Sequence, residues 1–183
     1  MPVAYTLFET DFGFCGVAWS DAGLVRLQLP ERDKQATEAR LIRHWEGSAT
    51  PPPAPIAGAI EELARYFSGE AVTFAKVPLD LSATQAFHRT IYDATLKIGW
   101  GQTKTYGALA AECGSPGAAR AVGQAMGRNP IPIIIPCHRV LAAGQRMGGF
   151  SAYGGTLAKE RLLAMEGVYL DGGTPLLPGL FSD

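Results

Sequence analysis

Cys137 and His138 are adjacent in Pro136-Cys137-His138-Arg139-Val140, and a thiol beside an imidazole is suited to nucleophilic chemistry. A thiol with a pKa of about 8.5 is only a few per cent thiolate near neutrality, so attack on carbon needs a base or a positive environment. His138 can supply the base. Cys15 and Cys113 have no such neighbour and read as small buried hydrophobes. The three cysteines lie too far apart for a disulfide framework, and no Cys-x-x-Cys pair suggests zinc.

The nucleophile must be held by what precedes it. Asn129-Pro130-Ile131-Pro132-Ile133-Ile134-Ile135-Pro136 is an apolar run broken by prolines, expected to pin the backbone in extended form. Further upstream, Thr105 to Gly114 reads as a short helix with a glycine stop. A turn with Pro116 and Gly117 follows, then a helix from Ala118 to about Gly127. Two short helices across a tight turn make a helix-turn-helix candidate, although a plain helical hairpin has the same spacing. The second helix opens with small residues, Ala118, Ala119, Ala121 and Gly123, and among them only Arg120 is long and charged. Small residues permit close packing inside a protein. They equally let a helix lie close to a narrow groove while Arg120 reaches into a base stack.

At Pro136-Cys137-His138-Arg139-Val140 the chain resembles the O6-alkylguanine-DNA alkyltransferases, the methylated-DNA-protein-cysteine methyltransferase family. The likeness extends through Thr105-Tyr106, Leu109-Ala110, Arg120-Ala121-Val122-Gly123, Asn129-Pro130, Phe150-Ser151, Lys159, Leu162-Leu163 and Glu166-Gly167, in order and spacing, over residues 84 to 167. It implies stoichiometric transfer of an alkyl group from O6-alkylguanine in double-stranded DNA, with O4-methylthymine as a further candidate substrate, onto Cys137. The base is flipped out of the duplex and the protein is irreversibly inactivated.

By the same resemblance His138 acts through a bridging water, Glu166 holds the imidazole from its other side, and Asn129 organises the turn beneath the nucleophile. Tyr106, aided by the backbone around Ser151, donates to the departing guanine oxygen. Met126, Val140 and Phe150 surround the base, with the Cys137 and Val140 carbonyls facing its amino edge. Arg120 is the finger that fills the gap, the small face of Ala119, Ala121 and Gly123 lies in the minor groove, and Arg128 and Lys104 contact phosphates. Gly149 to Gly155 is longer than the equivalent loop of human-type members, which bears on pocket width, and His88 stands where Gln is common. Human-type members carry an N-terminal zinc. Here Cys15 and His44 lack companion ligands, so neither metal nor cofactor is expected.

The elements that position this chemistry divide the chain into an α+β domain at 1–82, a helical winged-helix or helix-turn-helix domain at 83–170 and a tail at 171–183. Apolar residues alternate through Val3, Tyr5, Leu7, Phe12, Phe14, Val17, Trp19, Val25, Leu27 and Leu29, the period of strands, with turns at Asp11-Gly13 and Ser20–Gly23. A small antiparallel meander follows, which the resemblance extends to a ribonuclease H-like domain. Helical spacing predicts helices over Arg32–Trp45 and Ile56–Phe67, and Val77, Leu79 and Leu81 suggest one more strand. Ser82–Gln85 offers capping chemistry for a helix through Phe87, Ile91, Ala94, Thr95 and Ile98 that ends at Gly99.

The net charge of −1 conceals an asymmetry: residues 1–84 carry 7 basic against 11 acidic residues, and residues 85–168 carry 9 against 4. The second half can therefore meet a polyanion. Residues 1–30 contain no long uncharged run, so neither a secretory signal nor a membrane span is expected, and a cytosolic monomer, or a nuclear one in a eukaryote, is the expectation.

Three other functions compete. A non-enzymatic alkyltransferase-like protein would bind alkylated DNA but lack the cysteine, which is present here. A cysteine hydrolase leaves the helix-turn-helix unused, and a winged-helix regulator leaves Cys137-His138 unexplained.

Overall fold

Alternating apolar residues separated by two-residue turns form three strands in the computed structural model, which describes residues 3–43 and 47–170. Strand β1 (Val3–Thr10) pairs antiparallel with β2 (Gly13–Ser20), setting Phe8 opposite Cys15, and β2 pairs antiparallel with β3 (Gly23–Gln28). The side of β3 away from β2 is met by the segment expected to be a further strand. Leu24 N donates to the Pro78 carbonyl at 2.8 Å and Asp80 N to the Leu24 carbonyl at 2.8 Å, but only Leu79 forms a ladder pair. Pro78 has no N–H to extend the pairing. The contact is close enough that a Cβ on Gly23 (φ +143°) would sit 2.5 Å from the Pro78 carbonyl oxygen, so glycine is required there.

Helix α1 (Lys34–Leu41) is shorter than expected. Asp33 caps it by accepting from Ala36 N at 2.7 Å, and it ends at Ile42. Trp45, the expected end of this helix, lies outside the described residues, as does His44. A short strand β4 (Gly47–Ala49) pairs in parallel with β1, so the meander becomes a mixed sheet of order β3-β2-β1-β4. Helix α2 (Ala54–Phe67) begins after Pro53, whose fixed φ suits a helix start. Ile56, Ala59, Leu63, Tyr66 and Phe67 form its buried face, and full burial of a side chain such as Leu63 contributes roughly 1.5–3 kcal/mol.

Helix α3 (Ala86–Thr95) ends before Ile98, with turns continuing to Gly99. Its cap position is Gln85, which makes no side-chain capping bond; Ser82–Gln85 instead belongs to a turn in which Thr84 N donates to the Leu81 carbonyl. Strand β5 (Lys104–Thr105) leads into α4 (Tyr106–Glu112), capped by Thr105 Oγ1 accepting from Ala108 N at 3.1 Å. Residues 113–118 then turn into α5 (Ala119–Gly127), a wider connection than the tight turn expected. Beyond it come a single 3-10 turn at Cys137–Arg139, strand β6 (Val140–Leu141) parallel to β5, and α6 (Gly155–Met165). The fold is α+β, sheet and helices first and a helical part after. One apolar cluster runs through both, from Cys15, Leu24 and Leu63 to Ile91, Val122, Ile131 and Leu162.

Candidate active site

The chain before Cys137 is compact, not extended. Asn129 organises it with both ends of its amide: Nδ2 donates to the Ile135 carbonyl at 2.8 Å and Oδ1 accepts from Ile131 N at 3.0 Å. Within the loop so closed, Ile134 N bonds the Pro132 carbonyl and Ile135 N the Ile131 carbonyl, each at 2.9 Å. Buried Ile133 is held at φ 72°, a costly conformation for a β-branched residue that its surroundings must impose. Proline rigidity suggested extension, but the Asn129 bonds and the apolar core fold the run back on itself. Pro136 (φ −80°, ψ 65°) then makes an inverse γ-turn, with Cys137 N donating to the Ile135 carbonyl at 2.7 Å, and the thiol enters the following 3-10 turn. Burial pushes the Cys137 thiol up from its ordinary pKa, while Asn129, the Lys159 charge and nearby backbone N–H groups pull it down. The net direction is upward, so the resting group is a thiol and its attack requires a base.

His138, the next residue, is fully buried. Its Nε2 lies 2.8 Å from Glu166 Oε1, and Glu166 also takes two bonds from Arg139, Nε to Oε2 at 2.8 Å and Nη2 to Oε1 at 2.9 Å. Burial pushes the Glu166 carboxyl up, but the hydrogen bonds and charges of His138 and Arg139 outweigh it and bring the group to about 2. An ionised carboxylate only accepts, so Nε2 carries the hydrogen and Nδ1 keeps the lone pair. Nδ1 is buried without a hydrogen-bond partner. Burial also lowers the His138 pKa, opposed by Glu166 and assisted by the Arg139 and Lys159 charges, which favours the neutral imidazole.

Two members of this network carry no signal of their role in the sequence. Arg139, beside His138, neutralises a carboxylate that sits unfavourably at the C-terminal end of α6, and its Nη1 donates to the Ile98 carbonyl at 2.6 Å. Tyr66, from α2, donates to Glu166 Oε1 at 2.6 Å and lies 3.2 Å from His138 Nε2. Its place on the apolar face of a helix reads as packing alone.

A cavity of about 400 Å³ opens on Cys137, lined by Tyr106, Gly123, Met126, Phe150 and Ser151 among others. Burial, and secondarily Cys137, raise the Tyr106 pKa, so the phenol remains a donor. Val140, expected at the pocket, is not among its lining residues. Its side chain is fully buried and its carbonyl accepts from Lys159 Nζ at 2.6 Å. Buried Lys159 is lowered to about 8 by desolvation, with Cys137 pulling it back up, and its charge favours the thiolate.

On α5, Arg120 is exposed and Ala119, Ala121 and Gly123 are half-buried, while Arg128 at its end is exposed. Lys104 pairs with Glu112, so a phosphate would have to compete for it. Cys15 is buried and pushed up to about 12 by desolvation, as suits an inert thiol; Cys113 is partly exposed, not buried as expected. Among the described residues no helix is long and apolar enough to cross a membrane.

The chain is similar to known proteins over most of its length. Two family profiles match: the ribonuclease-like domain of 6-O-methylguanine DNA methyltransferase over residues 3–81 and its DNA-binding domain over residues 86–168. The Mycobacterium tuberculosis methylated-DNA–protein-cysteine methyltransferase is 38% identical over 164 residues, covering 90% of this chain and 92% of that protein. The constitutive Bacillus subtilis enzyme of that name is 35% identical over 147 residues, covering 80% and 86%. Among solved structures, the M. tuberculosis OGT in complex with DNA superposes with a TM-score of 0.72 at 36% identity, over 89% of this chain and 92% of that one.

Proposed function

Because the chain belongs to the methylated-DNA–protein-cysteine methyltransferase family, whose members repair DNA by moving an alkyl group onto a cysteine of their own, we propose that Cys137 is the acceptor and His138 its base. The protein is a DNA-repair alkyltransferase and DNA is its partner. The observation that carries the residue assignment is the buried Nδ1 of His138, without a hydrogen-bond partner and on the residue that follows a thiol opening on a cavity, with Nε2 tied to Glu166.

In this reading the Cys137 proton passes through a water to His138 Nδ1 as Sγ attacks the alkyl carbon. The C–S bond forms and the C–O6 bond breaks, and its electron pair stays on guanine. Tyr106, with the backbone at Ser151, donates to that oxygen as charge develops there; the released base takes up one proton, matching the one Cys137 gave to His138, and remains in the DNA as guanine. Asn129 keeps the loop below Sγ closed, and Met126 and Phe150 flank the base. A thioether is a poor leaving group, so each chain reacts once.

The alkyl group is hidden within a duplex, so the base is flipped into the cavity. Arg120 fills the gap and the Ala119, Ala121, Gly123 face rests in the minor groove. Arg128 contacts phosphate, as does Lys104 once released from Glu112. O4-methylthymine, the smaller base, is a second candidate substrate. Residues 1–82 form the sheet domain and 83–170 the DNA-binding domain of a monomer that works where the chromosome lies, in the cytoplasm or a eukaryotic nucleus.

Incubation with a duplex containing O6-methylguanine should add one methyl per chain, on the peptide bearing Cys137, with no cofactor. Sustained turnover, or a methyl on Cys15 or Cys113 by peptide mass spectrometry, overturns the assignment.

A further inference from the structure

We infer that the Tyr66 hydroxyl, brought from the sheet half of the molecule by the last turn of α2, is a positioning residue for alkyl transfer. It holds the Glu166–His138 pair in the arrangement that leaves Nδ1 free to accept the Cys137 proton. The inference rests on the reading of His138 as the base.

The hydroxyl sits between the two groups, 2.6 Å from Glu166 Oε1 and 3.2 Å from His138 Nε2, and the tyrosine is fully buried. It has a single proton. An ionised carboxylate can only accept, so that proton goes to Glu166, and the phenol oxygen turns a lone pair toward the Nε2 hydrogen. One side chain thus accepts from the imidazole and donates to the carboxylate, both of which specify hydrogen on Nε2 and none on Nδ1. The ring has little freedom to do otherwise, with Trp100 and Phe67 packed edge-on at 5.5 and 5.4 Å and Phe74 at 5.8 Å between centroids. Burial and the neighbouring Glu166 charge hold the phenol well above its ordinary pKa, which keeps it a donor.

Packing does not account for the hydroxyl. The buried face of α2 is otherwise Ile56, Ala59, Leu63 and Phe67, and phenylalanine at 66 would complete it without placing a polar atom in the interior. The groups facing His138 are Glu166, Arg139, Lys159 and Tyr66. Burial, Arg139 and Lys159 oppose its protonation and Glu166 favours it. Tyr66 satisfies part of the Glu166 charge, and its removal leaves that oxygen to His138 and Arg139. The carboxylate then draws the imidazole toward its cationic form, which cannot act as a base.

The test is single-turnover transfer from an O6-methylguanine duplex across the pH range, with the full chain as wild type, Tyr66→Phe, Phe74→Leu and His138→Gln. Tyr66→Phe should react about tenfold more slowly near neutrality, the scale of one buried hydrogen bond to a charged group, with the acid limb of its profile moved to higher pH. Phe74→Leu, which loosens the ring's packing and keeps the hydroxyl, should lower Tm and leave the limb in place. A Tyr66→Phe profile that superimposes on wild type, or one uniformly slower at every pH with its limb unmoved, overturns the inference.

His138→Gln should be slow and lack that limb. If it reacts like wild type, the base reading fails and the inference falls with it, a result distinct from an unaffected Tyr66→Phe. Should Tyr66→Phe not fold, NMR of the unreacted wild type decides. A slowly exchanging Tyr66 hydroxyl proton close to a protonated Nε2 supports the role, and a hydrogen on Nδ1 overturns it.

Discussion

Cys15, in the middle of β2, and Cys137, in the turn after the proline-rich loop, are both buried, at 0% and 5% exposure, and burial raises the pKa of both. By accessibility alone they are the same residue. Their surroundings differ: the Cys15 thiol has Thr10 Oγ1 at 3.9 Å to lower it, whereas Cys137 has Asn129, the Lys159 charge, local backbone N–H groups, an imidazole on the next residue and a cavity of about 400 Å³. A buried thiol is inert by default. It becomes a nucleophile when a base and a space for its substrate are built against it, and the rest of the molecule must supply both.

The contrast breaks most completely at the thiols themselves. Cys137→Ala should abolish alkyl transfer while keeping DNA affinity, because α5 is untouched, and Cys15→Ala should still accept one alkyl group per chain. Gel-shift titration and intact mass separate the two. Loss of DNA binding in a folded Cys137→Ala protein would mean that chemistry and recognition are not divided as proposed.

The next effect lies in what surrounds Cys137 and is lacking at Cys15. Glu166→Gln leaves Arg139 buried without its counter-ion, a change that costs about 3–5 kcal/mol, and should slow transfer about 100-fold or more by releasing the imidazole. Urea denaturation and single-turnover rates measure the two losses. The same pair sets the acid response. The Glu166 carboxyl is held at about 2 when folded, below its unfolded value of about 4.3, so its stabilisation is complete above the unfolded pKa and fades as pH falls from about 5 toward 2. Wild type should lose urea resistance over that window, and Glu166→Gln should lose less. Equal acid sensitivity in the two would show that other carboxylates govern it.

The smallest effect tests recognition. Arg120→Ala should slow repair of a lesion paired with cytosine by about tenfold, less when the lesion is mismatched and least in single-stranded DNA, because a finger stabilises the flipped base only where pairing opposes flipping. Equal losses on all three substrates would make Arg120 a phosphate anchor, recognised also by a fall of about one charge in the salt dependence.

The strands, α2 and the pair α4 and α5 were legible because periodicity and turn residues are local. The edges were less so. The Val77–Leu81 strand reduces to one ladder pair because Pro78 lacks a donor, and α3 stops at Thr95. Extension before Cys137 was the natural inference from three prolines, yet the Asn129 amide closes that run into a loop, a bond between residues whose partners no composition reveals.

The chain's linear order therefore determined the α+β class, the helix pair and the residues able to do chemistry. A thiol beside an imidazole, a small-faced helix with one arginine and a late glutamate are properties of residue type and spacing. Tertiary structure decided which nitrogen of His138 is free, that Arg139 neutralises Glu166, that Val140 stands behind the pocket and that Tyr66, 72 residues from His138, reaches it from the sheet half. The reason is physical. Periodicity reports which face of an element is buried, whereas tautomer and charge are set by whichever polar atoms the fold brings within about 3 Å, and in this site those atoms come from distant parts of the chain.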